Sequence, residues 1–357
     1  CLEIVEEIRN EVGDDYPIII RLSVDEMLGD LGNSIEDYTN IIVPRLVEAG
    51  IDCFDVSMGS VQHVPDGMFP SLYYRRGYFM YLARLIKKIV SVPVIGVGRI
   101  NDMQQAEFHL QEGDCDIVYM GRQIFADSDT PKKFFEGRAE ETRRCLGCLQ
   151  TNGSNICIPC TVNPILGEEK FSQLEPAEQK KRVVVAGAGP AGMEAARIAA
   201  ERGHEVIVLE KRYFTGGTVR ILGNTNLMHE FRNLSQYHNH ELKRLGVDVR
   251  TETEATADSI AALKPDTVLV ACGATMSIPE AAQGKPFVIT HVDALEHKFK
   301  LGRRVMVYGL GYGAELALAL DEEGHKVTLA GKGSTVATNL SSAIRRQYLR
   351  RKLDPDI

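Results

Sequence analysis

Apolar positions in the first 140 residues fall into two alternating patterns. Helical spacing marks residues 2–12, 34–48, 78–91 and 102–112, with Ser34 and Asp102 placed to cap the second and last of these and Pro131 opening one more helix. Between them lie short continuous apolar runs at residues 17–23 (PIIIRLS), 53–57 (CFDVS), 93–98 (PVIGVG) and 116–120 (DIVYM). Uninterrupted apolar strands separated by amphipathic helices predict parallel pairing with both sheet faces covered. Four such units fit either an open doubly wound sheet or half of an eight-stranded barrel. The last two strands run into Gly98-Arg99 and Gly121-Arg122, and the loops after the final two strands of a TIM barrel commonly hold a phosphate. Two tight turns with surface arginines are the plainer alternative. Recurrence at successive strand ends favours the phosphate and the C-terminal half of a barrel.

The pattern changes at residue 141. Residues 141–181 carry a cysteine cluster and a polar connector, and a second α/β region begins at Arg182. It contains a repeat: residues 182–211 (RVVVAGAGPAGMEAARIAAERGHEVIVLEK) parallel residues 304–332 (RVMVYGLGYGAELALALDEEGHKVTLAGK). Each reads strand, glycine loop, helix, strand. The expected organisation is a half-barrel over 1–140, a cysteine-rich linker over 141–181, and tandem Rossmann-like lobes over 182–300 and 301–357.

Gly187, Gly189 and Gly192 form G-x-G-x-x-G after a β-branched strand, and Glu210 follows 18 residues beyond Gly192, adjoined by Lys211. The glycines allow a tight turn, close approach of a pyrophosphate and close helix packing, and Glu210 can accept from a ribose hydroxyl. In the second repeat Gly309, Gly311 and Gly313 give a shortened G-x-G-x-G, and Gly331-Lys332 stands at the acidic position. Loss of that carboxylate removes selection for a free 2′-hydroxyl, and Lys332 is suited to a 2′-phosphate. NADPH and weak binding both remain open there.

Cys145-x2-Cys148-x8-Cys157-x2-Cys160 supplies four thiolates within 16 residues. Paired C-x-x-C spacing favours structural zinc, whereas a position between nucleotide modules favours an iron–sulfur cluster. The other four cysteines, Cys1, Cys53, Cys115 and Cys272, read as buried inert thiols. His63, in the loop after the strand at 53–57, is either a proton donor near neutral pH or a surface histidine. Arg21 sits inside an apolar strand, and a buried arginine there would need an anionic or electron-rich partner.

The stretch VPVIGVGRINDMQQAEFHLQEGDCDIVYMGRQIFADSD, followed by CLGC…CTVNP and GAGPAGMEAA, resembles the Old Yellow Enzyme-type NADH:flavin oxidoreductases with an iron–sulfur cluster. This is the group of 2,4-dienoyl-CoA reductase, trimethylamine dehydrogenase and clostridial enoate reductase. The resemblance implies an FMN barrel, a 4Fe–4S cluster, an FAD domain and NAD(P)H as electron source. The reaction it implies is reduction of an activated C=C bond in a small unsaturated molecule. It matches Arg21 to the flavin ring, Arg99 and Gly121-Arg122 to the FMN phosphate, and His63 to the active-site histidine. It matches Cys145, Cys148 and Cys160 to cluster ligands, Gly187, Gly189, Gly192 and Glu210 to the FAD fingerprint, and Gly216-Gly217 to the glycine pair that follows. The family's third cysteine falls earlier than Cys157, where this chain has Thr151 and Asn152. Amine dehydrogenation, or a zinc-bound scaffold without catalytic cofactors, are the alternatives.

The composition adds little against this. Net charge is −8, with 41 basic and 49 acidic residues, which argues against a nucleic-acid partner. No apolar run reaches the roughly 18 residues of a membrane span, so the expected location is the cytoplasm. The chain starts within a helical pattern at Cys1, and the family's active-site tyrosine and the end of the FAD domain are not found in it. An internal piece of a longer protein is therefore expected.

Overall fold

A computed structural model describes residues 1–60, 65–150, 160–170, 173–297 and 299–353. The chain divides into two compact units. The first comprises Cys1–Gly137, a stretch beginning at Gly147, and Ser342–Tyr348. The second takes in Arg138–Leu146, the described chain from Cys160 to Ser341, and the residues from Leu349 onward.

In the first unit, β1 (Ile19–Ser23), β2 (Cys53–Ser57), β3 (Val94–Gly96) and β4 (Ile117–Val118) form one parallel sheet in the order β1-β2-β3-β4. Arg21 lies opposite Asp55, Phe54 opposite Val94, and Ile95 opposite Ile117. A doubly wound sheet reverses its order at a switch point, whereas a barrel winds round in sequence; this sheet runs in sequence. The expected helix caps form. Ser34 Oγ accepts from Asp37 N while the Asp37 carboxylate accepts from Ser34 N, and Asp102 Oδ1 accepts from Gln105 N at 2.7 Å.

One face of the sheet is closed. Phe54, Val56 and Val94 are buried against Leu82, Ala83 and Ile86 of the helix Met80–Lys87, with Ile20 and Leu22 packed beside them. Residues of alternate parity face the other way, and there Ile19 is 59% and Tyr119 51% exposed. The strands are therefore not covered on both faces by the described residues.

The second unit holds β5 (Arg182–Ala186), β6 (Glu205–Leu209), β7 (Asp248–Arg250) and β8 (Thr267–Val270), all parallel, in the order β7-β6-β5-β8. Here the order does reverse, at β5, and ligands of such sheets bind outside the strand ends at that point. Both faces are filled: Val183, Val185 and Val208 against Met193, Ala196 and Leu242, and Val184, Ile207 and Leu209 against Ile260 and Leu263. The predicted repeat is present as a second strand–helix–strand lobe. Its β9 (Arg304–Tyr308) pairs in parallel with β10 (Lys326–Ala330), and the helix Gly313–Glu322 packs Ala317 and Leu320 on Val307.

The domain limits differ from the sequence expectation at two places. Arg138–Leu146 groups with the second unit, so the cysteine-rich stretch is divided between units. Ser342–Tyr348, assigned by sequence to the second nucleotide lobe, belongs to the first unit. Its hold there is aromatic and polar: Tyr348 stacks 4.8 Å from Tyr73, and Arg345 Nε donates to the Tyr73 hydroxyl at 3.0 Å.

Candidate functional site

The fingerprint residues of the first lobe come together at the C-terminal end of β5. Gly187 has φ +103°, and a Cβ there would overlap the Ala271 carbonyl oxygen. A Cβ on Gly192 would overlap the Gly187 carbonyl, so this glycine is what lets the helix Pro190–Glu201 pack against the turn. Gly189, between them, has nothing among the described residues within 4 Å of where a Cβ would stand. Gly189 also caps the helix with no side-chain acceptor on its first N–H groups. The loop thus offers open space and free donors at one spot, the requirements for a pyrophosphate.

Glu210 is buried at the end of β6, and its two oxygens accept from Ala188 N and Arg212 N at 2.9 Å each. It braces the glycine loop, and each oxygen retains a lone pair for a ribose hydroxyl. Lys211 beside it is exposed. The Gly216-Gly217 pair closes on the same loop: Gly216 N donates to Ala188 O at 2.7 Å, and a Cβ on Gly217 would lie 3.1 Å from Gly189 Cα. These residues fit an FAD.

The second lobe is arranged differently. Gly309 keeps a positive φ of +130°, and Gly313 opens the helix. A Cβ on Gly311, however, would overlap the Asn339 side-chain amide, and Ala337 N donates to Leu310 O at 2.6 Å. The space that is open at Gly189 is filled at Gly311 by the chain's own residues. Lys332 is exposed.

In the first unit Arg21 is not buried, contrary to the sequence reading. Its side chain is 48% exposed, because it projects from the uncovered sheet face. It does find an anion: Nη1 donates to Asp55 Oδ2 at 2.9 Å and Nη2 to Ser57 Oγ at 3.3 Å, with the guanidinium 5.8 Å from the Tyr119 ring centre. Burial pushes the Asp55 carboxyl up in pKa, with Arg21 opposing, and Asp55 Oδ1 is buried without a hydrogen-bond partner among the described residues. Sequence reasoning missed Asp55, although strand register would have placed it opposite Arg21.

Gly98 has φ +129° and Arg99 φ +59°, a left-handed turn that carries the buried Arg99 side chain to the Leu72 carbonyl at 3.4 Å. Arg122, just after Gly121 at the start of the helix Gly121–Ala126, donates to Pro70 O at 2.8 Å. Arginines from successive strand ends thus reach one short segment, residues 70–72, which is consistent with a shared anion site. A guanidinium is the side-chain group suited in charge and shape to a phosphate.

Cys145, Cys148 and Cys160 are of intermediate exposure. An all-thiol donor set suits iron–sulfur or zinc chemistry. Among the described residues no three potential ligands converge on one point, and Cys157 lies outside the described residues, as does His63. Of the other cysteines, Cys53 and Cys115 are buried as expected, and burial pushes the Cys115 thiol up to about 11. Cys1 and Cys272 are exposed, contrary to expectation; Cys272 follows β8 at a strand end that opens to solvent.

Comparison with known proteins gives two family matches, one in each half of the chain. Residues 1–141 match the NADH:flavin oxidoreductase / NADH oxidase family, and residues 181–355 match the pyridine nucleotide-disulphide oxidoreductase family. The chain belongs to the Old Yellow Enzyme-type group of NADH:flavin oxidoreductases. It is 40% identical over 356 residues to an NADH oxidase of Thermoanaerobacter brockii, covering 96% of this chain and 54% of that protein. It is 32% identical to the cinnamate reductase of Clostridium sporogenes, over 92% of this chain and 51% of that one. The solved structure of a 2-naphthoyl-CoA reductase complex superposes with a TM-score of 0.90 at 34% identity, over 99% of this chain and 55% of that one. The chain thus spans about half the length of these relatives. No helix among the described residues is long and apolar enough to cross a membrane.

Proposed function

We propose that this chain is part of an NAD(P)H-dependent ene-reductase that reduces an activated C=C bond in a small enoate or dienoyl-CoA type substrate. The observation that carries the reading is the assembled constellation of Gly187, Gly189, Gly192, Glu210 and Gly217 at a switch point, on one chain with a sequentially wound parallel sheet. When bound, flavins supply two-electron chemistry and a 4Fe–4S cluster passes single electrons between them.

The residues take the following parts in this proposal. Gly189 and the uncapped N–H groups of the helix Pro190–Glu201 hold the FAD pyrophosphate, and Glu210 orients its ribose. Arg99 and Arg122 hold the FMN phosphate, while Arg21, held by Asp55, faces the flavin ring. Cys145, Cys148, Cys157 and Cys160 hold the cluster, and His63 delivers a proton to the substrate. In the second lobe Gly309, Gly313 and Lys332 serve the nicotinamide nucleotide, and Gly311 is withdrawn from that set because the Asn339 amide fills its space. The first sheet is the C-terminal half of a barrel, supported by its sequential order and by the open face bearing Ile19 and Tyr119. A cytoplasmic location belongs to the same proposal.

The test is cofactor analysis of the full-length protein purified without oxygen. FMN, FAD and about four irons per chain are expected for one 4Fe–4S centre. A colourless protein that holds zinc and no flavin would reject the proposal in favour of the scaffold reading.

A further inference from the structure

We propose that Arg143 is a positioning residue, closing the cysteine-bearing segment on itself and fastening it to the FAD lobe. Arg143 Nη1 donates to Asn163 Oδ1 at 3.2 Å, a bond that spans 20 residues of chain. Arg143 stands two residues before Cys145, and Asn163 three residues after Cys160. Because each residue extends the chain by at most about 3.6 Å, this one hydrogen bond limits how far Cys145 and Cys160 can separate.

The same guanidinium is anchored on the other side. Nη2 donates to the Tyr237 hydroxyl at 3.0 Å and lies 3.8 Å from the Glu194 carboxylate. Glu194 is in the helix Pro190–Glu201 that begins at the glycine fingerprint, and Tyr237 is in the helix Arg232–Arg244 packed on it. Glu194 is itself fixed by Arg197 at 2.8 Å and by His238 Nε2 at 2.9 Å, and Nε2 must carry the hydrogen because its partner is a carboxylate. Arg143 is only 12% exposed, and a charge taken out of water is held where its partners are fixed. The partners come from three separate elements, so one side chain ties both flanks of the cysteine segment to the helix that would carry the FAD.

The inference rests on the reading of these cysteines as cluster ligands, and its test separates the two. In the full-length protein, alkylation of Cys145 and Cys160 by iodoacetamide is followed by mass spectrometry, alongside iron content and bound FAD. In Arg143→Ala, both thiols are expected to react at least tenfold faster, iron to fall at least twofold, and FAD and Cys272 reactivity to stay as in the parent. Lysine at 143 cannot span both partners and is expected to fall between; adding Asn163→Asp restores an ion pair and should recover most of the protection. Unchanged thiol reactivity in Arg143→Ala would overturn the inference, as would equal acceleration at Cys272. A parent protein with protected thiols but no iron would reject the cluster reading and leave the positioning role standing.

Discussion

Gly192→Val should abolish FAD retention, the largest effect expected of any single substitution in the second unit. The position has no room for a Cβ, which would overlap the Gly187 carbonyl and crowd Ala271. To admit valine, the helix Pro190–Glu201 must shift away from the turn. Its uncapped N–H groups and the open space at Gly189 would then no longer face the same point. Forced side chains in packed sites commonly cost about 1–3 kcal/mol, and here the shift also breaks the packing of Met193 and Ala196 on β5. Gly189→Ala meets nothing within 4 Å in this structure and should fold normally while weakening FAD binding alone. Bound flavin after gel filtration, with a thermal melt of each variant, checks both. Full FAD occupancy in Gly192→Val would mean that the close helix–strand packing is not what shapes the site.

Glu194→Gln should destabilise the second unit by about 3 kcal/mol, at the low end for removing one partner of a buried ion pair. Burial by itself would raise the Glu194 carboxyl. The hydrogen bonds from His238 and Arg197, with the charges of Arg197 and Arg143, outweigh it and hold the group far below the usual carboxylate range. A carboxyl with a depressed folded-state pKa contributes stability that is fully present above its unfolded value, near pH 4.3, and is lost as pH falls below it. The parent protein should therefore lose stability steeply on acidification below about pH 4.5, and the glutamine variant, already weaker at neutral pH, less steeply. Urea midpoints by circular dichroism between pH 7 and pH 3 test this. Parallel pH dependence in both proteins would show that Glu194 does not dominate the acid response.

Features of the chain set by neighbouring residues were legible in the sequence. The caps at Ser34 and Asp102, the strand–loop–helix repeat and the glycine fingerprint are all written within a few residues of the atoms they touch. Sequential strand order followed once the apolar runs and Gly-Arg strand ends were read together. What escaped depends on residues far apart along the chain. Arg143 meets Tyr237 across 94 residues and Arg345 meets Tyr73 across 272, and no local pattern announces either contact. Asn339 fills the space over Gly311, so a glycine that reads as a nucleotide contact is used by the chain's own side chain. Arg21 was expected to be buried because its strand is apolar, and the alternate face of that strand proves open.

The central claim is that electrons enter from a nicotinamide nucleotide and leave to an activated alkene. The direct measurement is anaerobic: the full-length protein is mixed with NADH or NADPH, its flavin absorbance is followed, and an aryl enoate such as cinnamate is then added. The account predicts bleaching by the nucleotide, recovery on adding the enoate, and a saturated product in proportion to nucleotide consumed. Flavin that stays oxidised with either nucleotide, yet bleaches with a methylated amine, would contradict it and assign the opposite direction of electron flow.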